Sequence, residues 1–353
     1  MKPFTYTGLP MRVLFGAGSI GQLAGELDKL GVKRALVLST PGRGDSVRKA
    51  ASGLGARLAG VYDKALMHVP VETAEDARRV AAELGADGCV ALGGGSTIGL
   101  GKAIALTSGL PILAVPTTYS GSEMTTVLGM TEAGVKKTIR DPRVLPRTVI
   151  YDPELTLGLP AAISAASGMN AIAHCVEALY AADANPVSSL QAEEGIRALA
   201  AALPVLVKAP QDAQARSDAL YGAWLAGVSF ASVGLGLHHK LCHVLGGTFN
   251  LPHAQTHSIV LPHAARYNRD AAPEAMRRIA RALGAPDAPQ GLFDLEGRLG
   301  LDQSLAAIGM PADGLERAAR MATESPYPNP RPIEYAAVLS LLQDAHAGRL
   351  PSG

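Results

Sequence analysis

The chain changes its hydrophobic period near the middle, and this change limits the folds open to it. Before residue 150, short apolar runs alternate with stretches of helical spacing; after Asp152 the strand pattern disappears and Ala/Leu-rich helical stretches follow. Strands that alternate with helices predict a parallel sheet with helices on both faces. We therefore expect an α/β N-terminal domain over residues 1–153 and an all-α C-terminal domain over residues 154–353.

The predicted elements follow from this division. In the first half, strands are expected at 35–38, 57–62, 89–92 and 112–115, and helices at 20–30, 46–54, 73–84 and 97–106. Thr73 is expected to be an N-cap, because Glu75 and Asp76 follow it in the first turn. The turn-like stretch 131–138 predicts a hairpin. In the second half, helices are expected at 161–182, 187–203, 213–233, 315–323 and 333–345.

Composition excludes several classes of function. The 353 residues carry 32 Lys and Arg against 31 Asp and Glu, so no basic excess indicates a nucleic-acid partner. The three cysteines lie far apart and form no CxxC pair. The long uncharged runs 103–122 and 155–176 are interrupted by proline and polar residues, so neither predicts a membrane span. We expect a soluble, cytoplasmic protein without a membrane or nucleic-acid partner.

Two glycine-rich loops compete for the phosphates of a dinucleotide. The loop 16–21 fits GxGxxG, but the next strand runs into Ser39 and Thr40 without the acidic residue usual for this fingerprint. The loop 93–96 follows a strand and precedes a helix, and its three glycines allow close approach of backbone N–H groups. We favour the second loop; the alternative is a tight turn. The expected cofactor-binding residues are Ser39, Thr40, Gly93, Gly94, Gly95, Ser96, Thr117, Thr118 and Ser120.

The segment that follows the predicted strand 35–38 affects the choice between NADH and NADPH. Hydroxyls at Ser39 and Thr40 can serve a ribose 2′-OH or a 2′-phosphate, and Arg43 can pair with the phosphate. Without an acid to repel the phosphate, we expect both cofactors to work, with kcat/KM values within about two orders of magnitude. The alternative is that another acid, such as Asp45, enforces NADH.

Histidines are concentrated in one short stretch of the second half, which holds six of the nine. His239 and His243 are four residues apart and share a helix face, as do Asn170 and His174. His253 follows in a loop-like segment. An isolated histidine is more often a core or surface residue, but a set converging from two helices and a loop predicts a chemical site.

Several motifs together resemble the iron-containing alcohol dehydrogenase superfamily: GGGS after a strand, PTT followed by GSE after the next, and H-x3-H followed by LPH. This resemblance implies an N-terminal dinucleotide domain and a C-terminal helical domain. It also implies a metal held by an Asp and three His, which correspond here to Asn170, His174, His239 and His253. By the same resemblance, His243 matches a histidine beside the nicotinamide.

Two departures narrow the resemblance. Asn170 replaces the ligand Asp, and Gly99 replaces the Asp of GGGSxxDxxK. With VIYDPELTLGLP, GMNAIAHCVEALY and NPRPIE, they are similar to the maleylacetate reductase branch. That branch implies NAD(P)H-dependent reduction of maleylacetate to 3-oxoadipate in the breakdown of aromatic compounds. The alternatives are a metal-dependent alcohol or polyol dehydrogenase, a non-redox enzyme of the dehydroquinate synthase type, and a non-catalytic NAD-binding module.

The departures also shape the expected chemistry. An amide is a poor substitute for a carboxylate ligand, so we expect no required metal; if one binds, His174, His239 and His253 hold it. Hydride addition leaves an enolate that needs a hydrogen-bond donor and an acid. We expect His243 and His253 to supply these, while His239, His174 and Asn170 order the pocket.

Two further expectations concern the residues that bind the substrate and the oligomeric state. A small dicarboxylate needs donors or cations in its pocket, and the candidates are Ser122, His238, Lys240 and the segment 327–331. The resemblance implies a homodimer, and an extended segment over residues 2–13 would provide an edge for pairing.

Overall fold

The computed structural model describes residues 4–9, 11–132 and 135–350, without the side chains of residues 45, 46, 135 and 136. The chain forms two compact units. One spans Leu9–Leu159, and the other runs from Pro160 and includes the N-terminal residues up to Gly8. Of the N-terminal segment expected to be extended, residues 2, 3 and 10 lie outside the described part, and the described strand begins only at Arg12.

The first unit contains a six-stranded sheet in which every pair of neighbours is parallel. Its strands are β1 (Arg12–Phe15), β2 (Ala35–Leu38), β3 (Leu58–Tyr62), β4 (Gly88–Gly93), β5 (Ile112–Pro116) and β8 (Thr148–Tyr151), in the spatial order β1-β8-β5-β4-β2-β3. The strands β6 (Val127–Glu132) and β7 (Val135–Arg140) pair antiparallel as the predicted hairpin. Its turn residues, 133 and 134, lie outside the described part.

The α-helices in the described part of this unit are α1 (Leu23–Lys29), α2 (Gly44–Ala50), α3 (Val71–Glu83) and α4 (Gly95–Ser108). The strands are apolar on both faces because two separate cores cover them. Leu36 and Leu38 of β2 point into one core, and Ala35 and Val37 of the same strand point into the other. The predicted α/β class of this half is confirmed.

One predicted helix start is wrong. Helix α3 begins at Val71, with Pro70 as the residue before it, and Thr73 lies inside the first turn. Pro70 has extended backbone angles and its carbonyl accepts the first helical hydrogen bond from Ala74 N. The φ of −57° that the proline ring imposes is compatible with the residue before a helix, and the chain enters the helix there, before the threonine is reached.

In the described part of the chain after Leu159, regular structure is helical. The helices are α5 (Ala161–Tyr180), α6 (Pro186–Lys208), α7 (Ala213–Ala231), α8 (Leu237–Phe249), α9 (His253–Asn268), α10 (Pro273–Leu283), α11 (Ala288–Arg298), α12 (Leu315–Thr323) and α13 (Tyr335–Ala347). The predicted all-α class is confirmed. None of the helices in the described residues combines the length and apolarity needed to cross a bilayer.

Small residues allow the helices α5, α6 and α7 to pack closely. A Cβ added to Gly195 of α6 would lie 2.8 Å from the sulfur of Cys175 on α5. A Cβ added to Gly222 of α7 would lie 2.7 Å from Leu199 of α6. Contacts this short leave no room for a larger residue, so these glycines set the separation of the three helices.

Candidate active site

Three helices of the second unit bring imidazole rings together. His174 of α5 lies 5.2 Å from His239 of α8, measured between ring centroids, and His239 lies 4.9 Å from His257 of α9. Phe230 of α7 stacks on His174 and His239 at 4.3 and 4.6 Å. We call His174, His238, His239, His243, His253 and His257 the histidine cluster.

The remaining predicted histidines adjoin these rings. His243 lies one turn after His239 with ring centroids 6.1 Å apart, and His253 lies 4.3 Å from His257. Asn170 is one turn before His174 on α5 and is buried. His253 was expected in a loop but is the first residue of α9, because Pro252 ends the loop and starts the helix there.

Glu177, which the sequence reasoning missed, supports the cluster from behind. It is fully buried on α5, one turn after His174, and its Oε2 contacts His239 Nδ1. Its Oε1 accepts a hydrogen bond of 3.1 Å from the backbone N–H of His238. Burial raises the pKa of Glu177, and backbone N–H donors oppose that rise. Glu177 could have been found from its spacing, because residues three apart lie on the same face of a helix and His174 is three residues before it.

The N-terminus of α8 explains why a carboxylate can be buried here. Gly236 precedes the helix, and a Cβ at this position would lie 3.2 Å from both Glu177 Oε1 and Asn329 Oδ1. Leu237 N donates to Asn329 Oδ1 at 3.3 Å. Two oxygens thus accept the first free N–H groups of α8, whose partial positive charge stabilises the carboxylate.

This capping gives the NPRPIE segment a structural role. Asn329 also exchanges amide hydrogen bonds with Asn268 at 2.7 and 3.2 Å. The guanidinium of Arg331 lies over the ring of Tyr267, 4.4 Å from its centroid. The segment fixes the start of α8 and the end of α9 relative to each other, and Arg331 is engaged in that packing.

Several buried polar atoms of the cluster and of the adjacent Asn170 have no hydrogen-bond partner among the described residues. They are Asn170 Oδ1, His174 Nδ1, His238 Nδ1, His239 Nε2 and His257 Nε2. Leaving one such group unsatisfied costs about 1–3 kcal/mol, and native proteins carry few of them. A concentration of five in one place is typical of a site whose partners come from a ligand.

The fully buried imidazoles of the cluster, those of His174, His238, His239 and His257, have lowered pKa values and are neutral near pH 7. Burial lowers the pKa of His238 to about 3, and neighbouring His239 lowers it further. Burial also lowers the pKa values of His174 and His257. Neutral rings can each donate one hydrogen bond and accept another, so these imidazoles can bind an anionic oxygen without being protonated.

The residues at the family's metal positions do not fit a tightly held divalent ion. Asn170 supplies an amide in place of the carboxylate. Among the described residues, one group of three His, Cys, Asp or Glu places its ligand atoms within 4.8 Å of one another, and it is His238, Cys242 and His257. The ligand atoms of His174, His239 and His253 are not grouped this closely in the described residues.

The candidates for substrate contacts lie in different settings. His238 is fully buried, and its Nε2 shares a hydrogen bond of 2.9 Å with His257 Nδ1. Lys240 is half-buried on α8. Ser122 belongs to the first unit, where its carbonyl accepts a hydrogen bond from Lys102.

In the first unit, the loop 16–21 already holds an anion of the chain itself. The N–H groups of Gly18 and Ile20 donate to the two carboxylate oxygens of Asp152, at 3.2 and 3.0 Å. Asp152 is fully buried directly after β8. The backbone donors that would bind a phosphate are engaged, and this favours the second loop.

The loop 93–96 is built for close backbone approach at the carboxyl ends of β4 and β5. A Cβ on Gly94 would lie 2.9 Å from Thr118, and one on Gly95 would lie 3.6 Å from Ser120. One on Gly93 would lie 2.4 Å from the hydroxyl of Thr97. The predicted glycines and hydroxyls are therefore neighbours at the N-terminus of α4, which is a typical position for a pyrophosphate.

Lys102 of α4 holds the segment that follows β5. Its fully buried ammonium donates to the carbonyls of Ser122, Thr125 and Val127, at 2.6, 2.8 and 2.8 Å, and to the Thr125 hydroxyl at 3.0 Å. Buried Glu123 accepts from Tyr151 at 2.8 Å. Burial lowers the pKa of Lys102 to about 7, opposed by the Glu123 carboxylate.

Packing accounts for the departure at Gly99. A Cβ at this position would lie 2.7 Å from Cγ2 of Val69, which enters from the loop after β3. Val69 has a positive φ of 47°, a strained conformation for a β-branched residue. An aspartate at position 99 cannot be accommodated unless Val69 moves.

An acidic residue that the sequence did not predict, Asp63, lies near the segment that follows β2. Ser39 is buried and its hydroxyl donates to the Thr40 carbonyl at 3.1 Å. A Cβ on Gly44, at the start of α2, would lie 2.6 Å from the Asp63 carboxylate. Asp63 follows the neighbouring strand β3, so inspecting β2 alone could not find it. The side chain of Asp45 lies outside the described part.

Comparison with known proteins identifies the family. The profile described as iron-containing alcohol dehydrogenase matches residues 10–153, and that of the C-terminal part of the Fe-containing alcohol dehydrogenase family matches residues 164–346. The chain belongs to the iron-containing alcohol dehydrogenase family and is an oxidoreductase.

Within that family, the chain is similar to maleylacetate reductases over its full length. It is 60% identical to the maleylacetate reductase of Burkholderia cepacia, covering 100% of both chains. It is 56% identical to that of Sphingobium indicum, covering 99% of both. The crystal structure of the Agrobacterium tumefaciens maleylacetate reductase superposes with a TM-score of 0.96 at 53% identity, covering 99% of this chain and 100% of the other.

Proposed function

We propose that this protein reduces maleylacetate to 3-oxoadipate with NADH or NADPH. The full-length identity of 50–60% to proteins of that name carries the proposal. The amide at Asn170, where the wider family places a carboxylate, supports it against an alcohol or polyol dehydrogenase that needs a bound metal. A nicotinamide-dependent reduction of this kind belongs in the cytoplasm, where the reduced cofactor is maintained, and we assign it to the breakdown of aromatic compounds.

The reaction saturates the C=C bond that is conjugated to the ketone of the substrate. When bound, a reduced nicotinamide would supply a hydride for the carbon β to the ketone. The electron pair of the C=C bond would then form a new double bond to the carbonyl carbon, and the π pair of the carbonyl would move onto its oxygen. The resulting enolate needs a hydrogen-bond donor, and the carbon between the two centres needs a proton. We assign these roles to His243 and His253, while His174, His239 and Asn170 shape the pocket and Phe230 keeps it apolar on one side.

The first unit supplies the cofactor site in this proposal. The three glycines of the loop 93–96 admit the pyrophosphate, and the N-terminus of α4 favours its charge. Thr117, Thr118 and Ser120 supply hydroxyls beside the loop. Ser39 and Thr40 lie at the end of β2, where the adenosine ribose of a dinucleotide is usually bound.

The two cofactors are discriminated weakly in this proposal. Asp63 is the acid that can favour NADH, and we expect Asp63→Asn to shift the ratio of kcat/KM values toward NADPH by about tenfold, or about 1.4 kcal/mol. Glu72→Asn, on the exposed surface of α3, is the control. A wild-type preference above about a thousandfold for either cofactor contradicts weak discrimination.

The family description names iron, and the comparisons do not support the expectation that a metal is dispensable. We nevertheless propose that turnover needs no metal, because the residues at the ligand positions include an amide and the ligand atoms of their histidines are not closely grouped in the described residues. Prolonged chelation should leave the rate unchanged. Complete loss of activity, rescued by one metal, would overturn this proposal.

The test is oxidation of NADH by the purified protein with fresh maleylacetate, with product identified as 3-oxoadipate by mass. A simple diol or aldehyde as the preferred substrate, together with stoichiometric iron or zinc, would establish the alternative metal-dependent alcohol dehydrogenase. Activity on maleylacetate after chelation would exclude it.

We also propose a homodimer. Strand β1 stands at the end of the sheet, and Phe4 and Tyr6 of the preceding segment are exposed. An edge strand and exposed aromatic side chains are favourable for pairing with a second copy. Light scattering should give twice the chain mass of 36.3 kDa; a mass equal to one chain would refute it.

A further inference from the structure

His257 lies at the centre of the histidine cluster. Its ring contacts four others, at centroid distances of 4.3 Å to His253, 4.9 Å to both His238 and His239, and 6.3 Å to His174. It is fully buried, and its Nε2 has no partner among the described residues. A residue in this position either only fills space or binds what the cluster binds.

The contact with His238 limits which nitrogen of His257 carries the proton. His238 Nε2 and His257 Nδ1 are 2.9 Å apart, so one of these nitrogens is protonated and the other is bare. If His257 is the donor, His238 must carry its own proton on Nδ1, a buried N–H without a partner among the described residues. If His238 is the donor, its Nδ1 carries no proton. His257 then carries its own proton on Nε2, and that N–H is the one without a partner among the described residues.

The second arrangement is the less costly one. An N–H that is permanently buried without an acceptor is rarer in proteins than an unsatisfied acceptor. In the second arrangement, the free N–H of His257 lies in the cluster, where a bound ligand can accept from it. The sulfur of Cys242, 3.8 Å from His238 Nε2, is a further weak acceptor for the proton of that nitrogen.

His239 has the opposite arrangement. Its Nδ1 contacts the carboxylate of Glu177, so the proton lies on that side and Nε2 is bare. His239 and His257 therefore present one acceptor and one donor, from rings 4.9 Å apart. The cluster offers different hydrogen-bonding groups at two neighbouring positions, although all its members are the same amino acid.

We propose that His257 Nε2–H is a hydrogen-bond donor to an anionic oxygen of the substrate, either a carboxylate or the enolate, and that His238 fixes the tautomer. The choice of a dicarboxylate substrate rests on the proposed function. The tautomer itself does not, and it can be measured without turnover.

The direct test is nitrogen NMR of the whole protein labelled at histidine. Two-bond couplings between ring protons and nitrogens identify which nitrogen is protonated. His257 should carry its proton on Nε2 and His239 on Nδ1, with assignments from His257→Gln and His239→Gln spectra. Addition of 3-oxoadipate should shift the His257 Nε2 resonance. A proton on His257 Nδ1, or no shift with a ligand shown to bind by calorimetry, would overturn the proposal.

Kinetics provides a second test through matched variants. Glutamine can place an N–H near the position of Nε2, whereas leucine cannot. We expect His257→Leu to lower kcat/KM for maleylacetate about 100-fold, and His257→Gln to stay within about tenfold of wild type. His263→Gln, a buried histidine on the same helix outside the cluster, is the control.

The variants also separate a structural role from binding. If both His257 variants lose activity and melting temperature equally, His257 serves packing alone and the proposal fails. If the wild-type protein does not reduce maleylacetate, the proposed function fails, while the NMR experiment still decides the tautomer. His238→Leu should reduce the fraction of His257 protonated on Nε2, and no change would refute the role of His238.

Discussion

Two buried polar clusters, one around Lys102 in the first unit and the histidine cluster in the second, differ in how their hydrogen bonds are used. The ammonium of Lys102 has four oxygen acceptors within 3.0 Å, and Glu123 beside it is bound by Tyr151. The histidine cluster and the adjacent Asn170 together contain five buried polar atoms without partners among the described residues. A cluster satisfied by its own chain stabilises a segment, whereas one left unsatisfied is available to a ligand.

The largest effect should come from breaking the satisfied cluster. Lys102→Met leaves three carbonyls and the Thr125 hydroxyl oxygen without their donor and removes the positive charge beside Glu123. We expect a loss of about 3–5 kcal/mol in the free energy of unfolding. Urea denaturation measures it. Lys137→Met, on the exposed hairpin, should change stability by less than about 0.5 kcal/mol. Equal effects of the two substitutions would show that the Lys102 cluster is not structural.

The opposite result is expected at the unsatisfied cluster. His174→Leu removes a ring whose Nδ1 has no partner among the described residues, so the free energy of unfolding should stay the same or rise. Activity on maleylacetate should fall about 100-fold, because the pocket loses an ordering group. Parallel kinetics and denaturation would separate the two effects. A stability loss as large as that of Lys102→Met would erase the distinction between the clusters.

Acid should destabilise the protein through the histidine cluster. The pKa of His238 is about 3 in the fold and about 6.5 when unfolded. The unfolded chain therefore binds a proton that the folded one does not, and stability is lost as the pH falls from about 6.5 toward 3. Between pH 7 and pH 5, the protonation of His238 in the unfolded chain should lower the free energy of unfolding by about 2 kcal/mol.

The acid prediction is checked by denaturation at both pH values. His238→Gln should reduce the pH dependence by about that amount, and the same substitution at His346, outside the cluster, should not. Unchanged pH dependence in His238→Gln would show that His238 is already protonated in the fold or compensated elsewhere.

The smallest effect concerns metal retention. Asn170→Asp restores an anionic oxygen beside His174, and we expect affinity for zinc or iron to rise about tenfold. Metal analysis after dialysis against a graded series of chelators measures it. Asn185→Asp, at the N-cap of α6, should leave metal content unchanged. No increase at position 170 would mean that the spacing of the histidines, rather than the missing charge, prevents binding.

Sequence patterns were sufficient for the fold class, and they named most of the residues that the structure brings together in the histidine cluster. The change of period after Asp152 separated the α/β half from the helical half, because sheet strands buried on both faces and Ala-rich helices have different spacings. His239 and His243, and Asn170 and His174, were found by helical spacing alone. Local periodicity is visible in a sequence because it depends on neighbours along the chain.

The parts that were missed depend on distant contacts. Glu177 and Asn329 meet at the start of α8 from positions far apart in the chain, and Asp63 reaches Gly44 from the neighbouring strand. Asp152 fills the loop 16–21 from the other end of its unit. No spacing rule links such pairs. His257 was within reach, since it lies four residues after His253, but assigning His253 to a loop concealed the shared helix face.

The close approach of Val69 to Gly99 constrains how this sequence could have diverged from relatives that carry an aspartate at position 99. The side chain at 69 occupies the volume that a larger residue at 99 would need. A reversal at 99 alone is blocked, whereas shortening the side chain at 69 first would open the way back. The two sites are expected to be epistatic, and the order in which they change determines which ancestral sequences remain accessible.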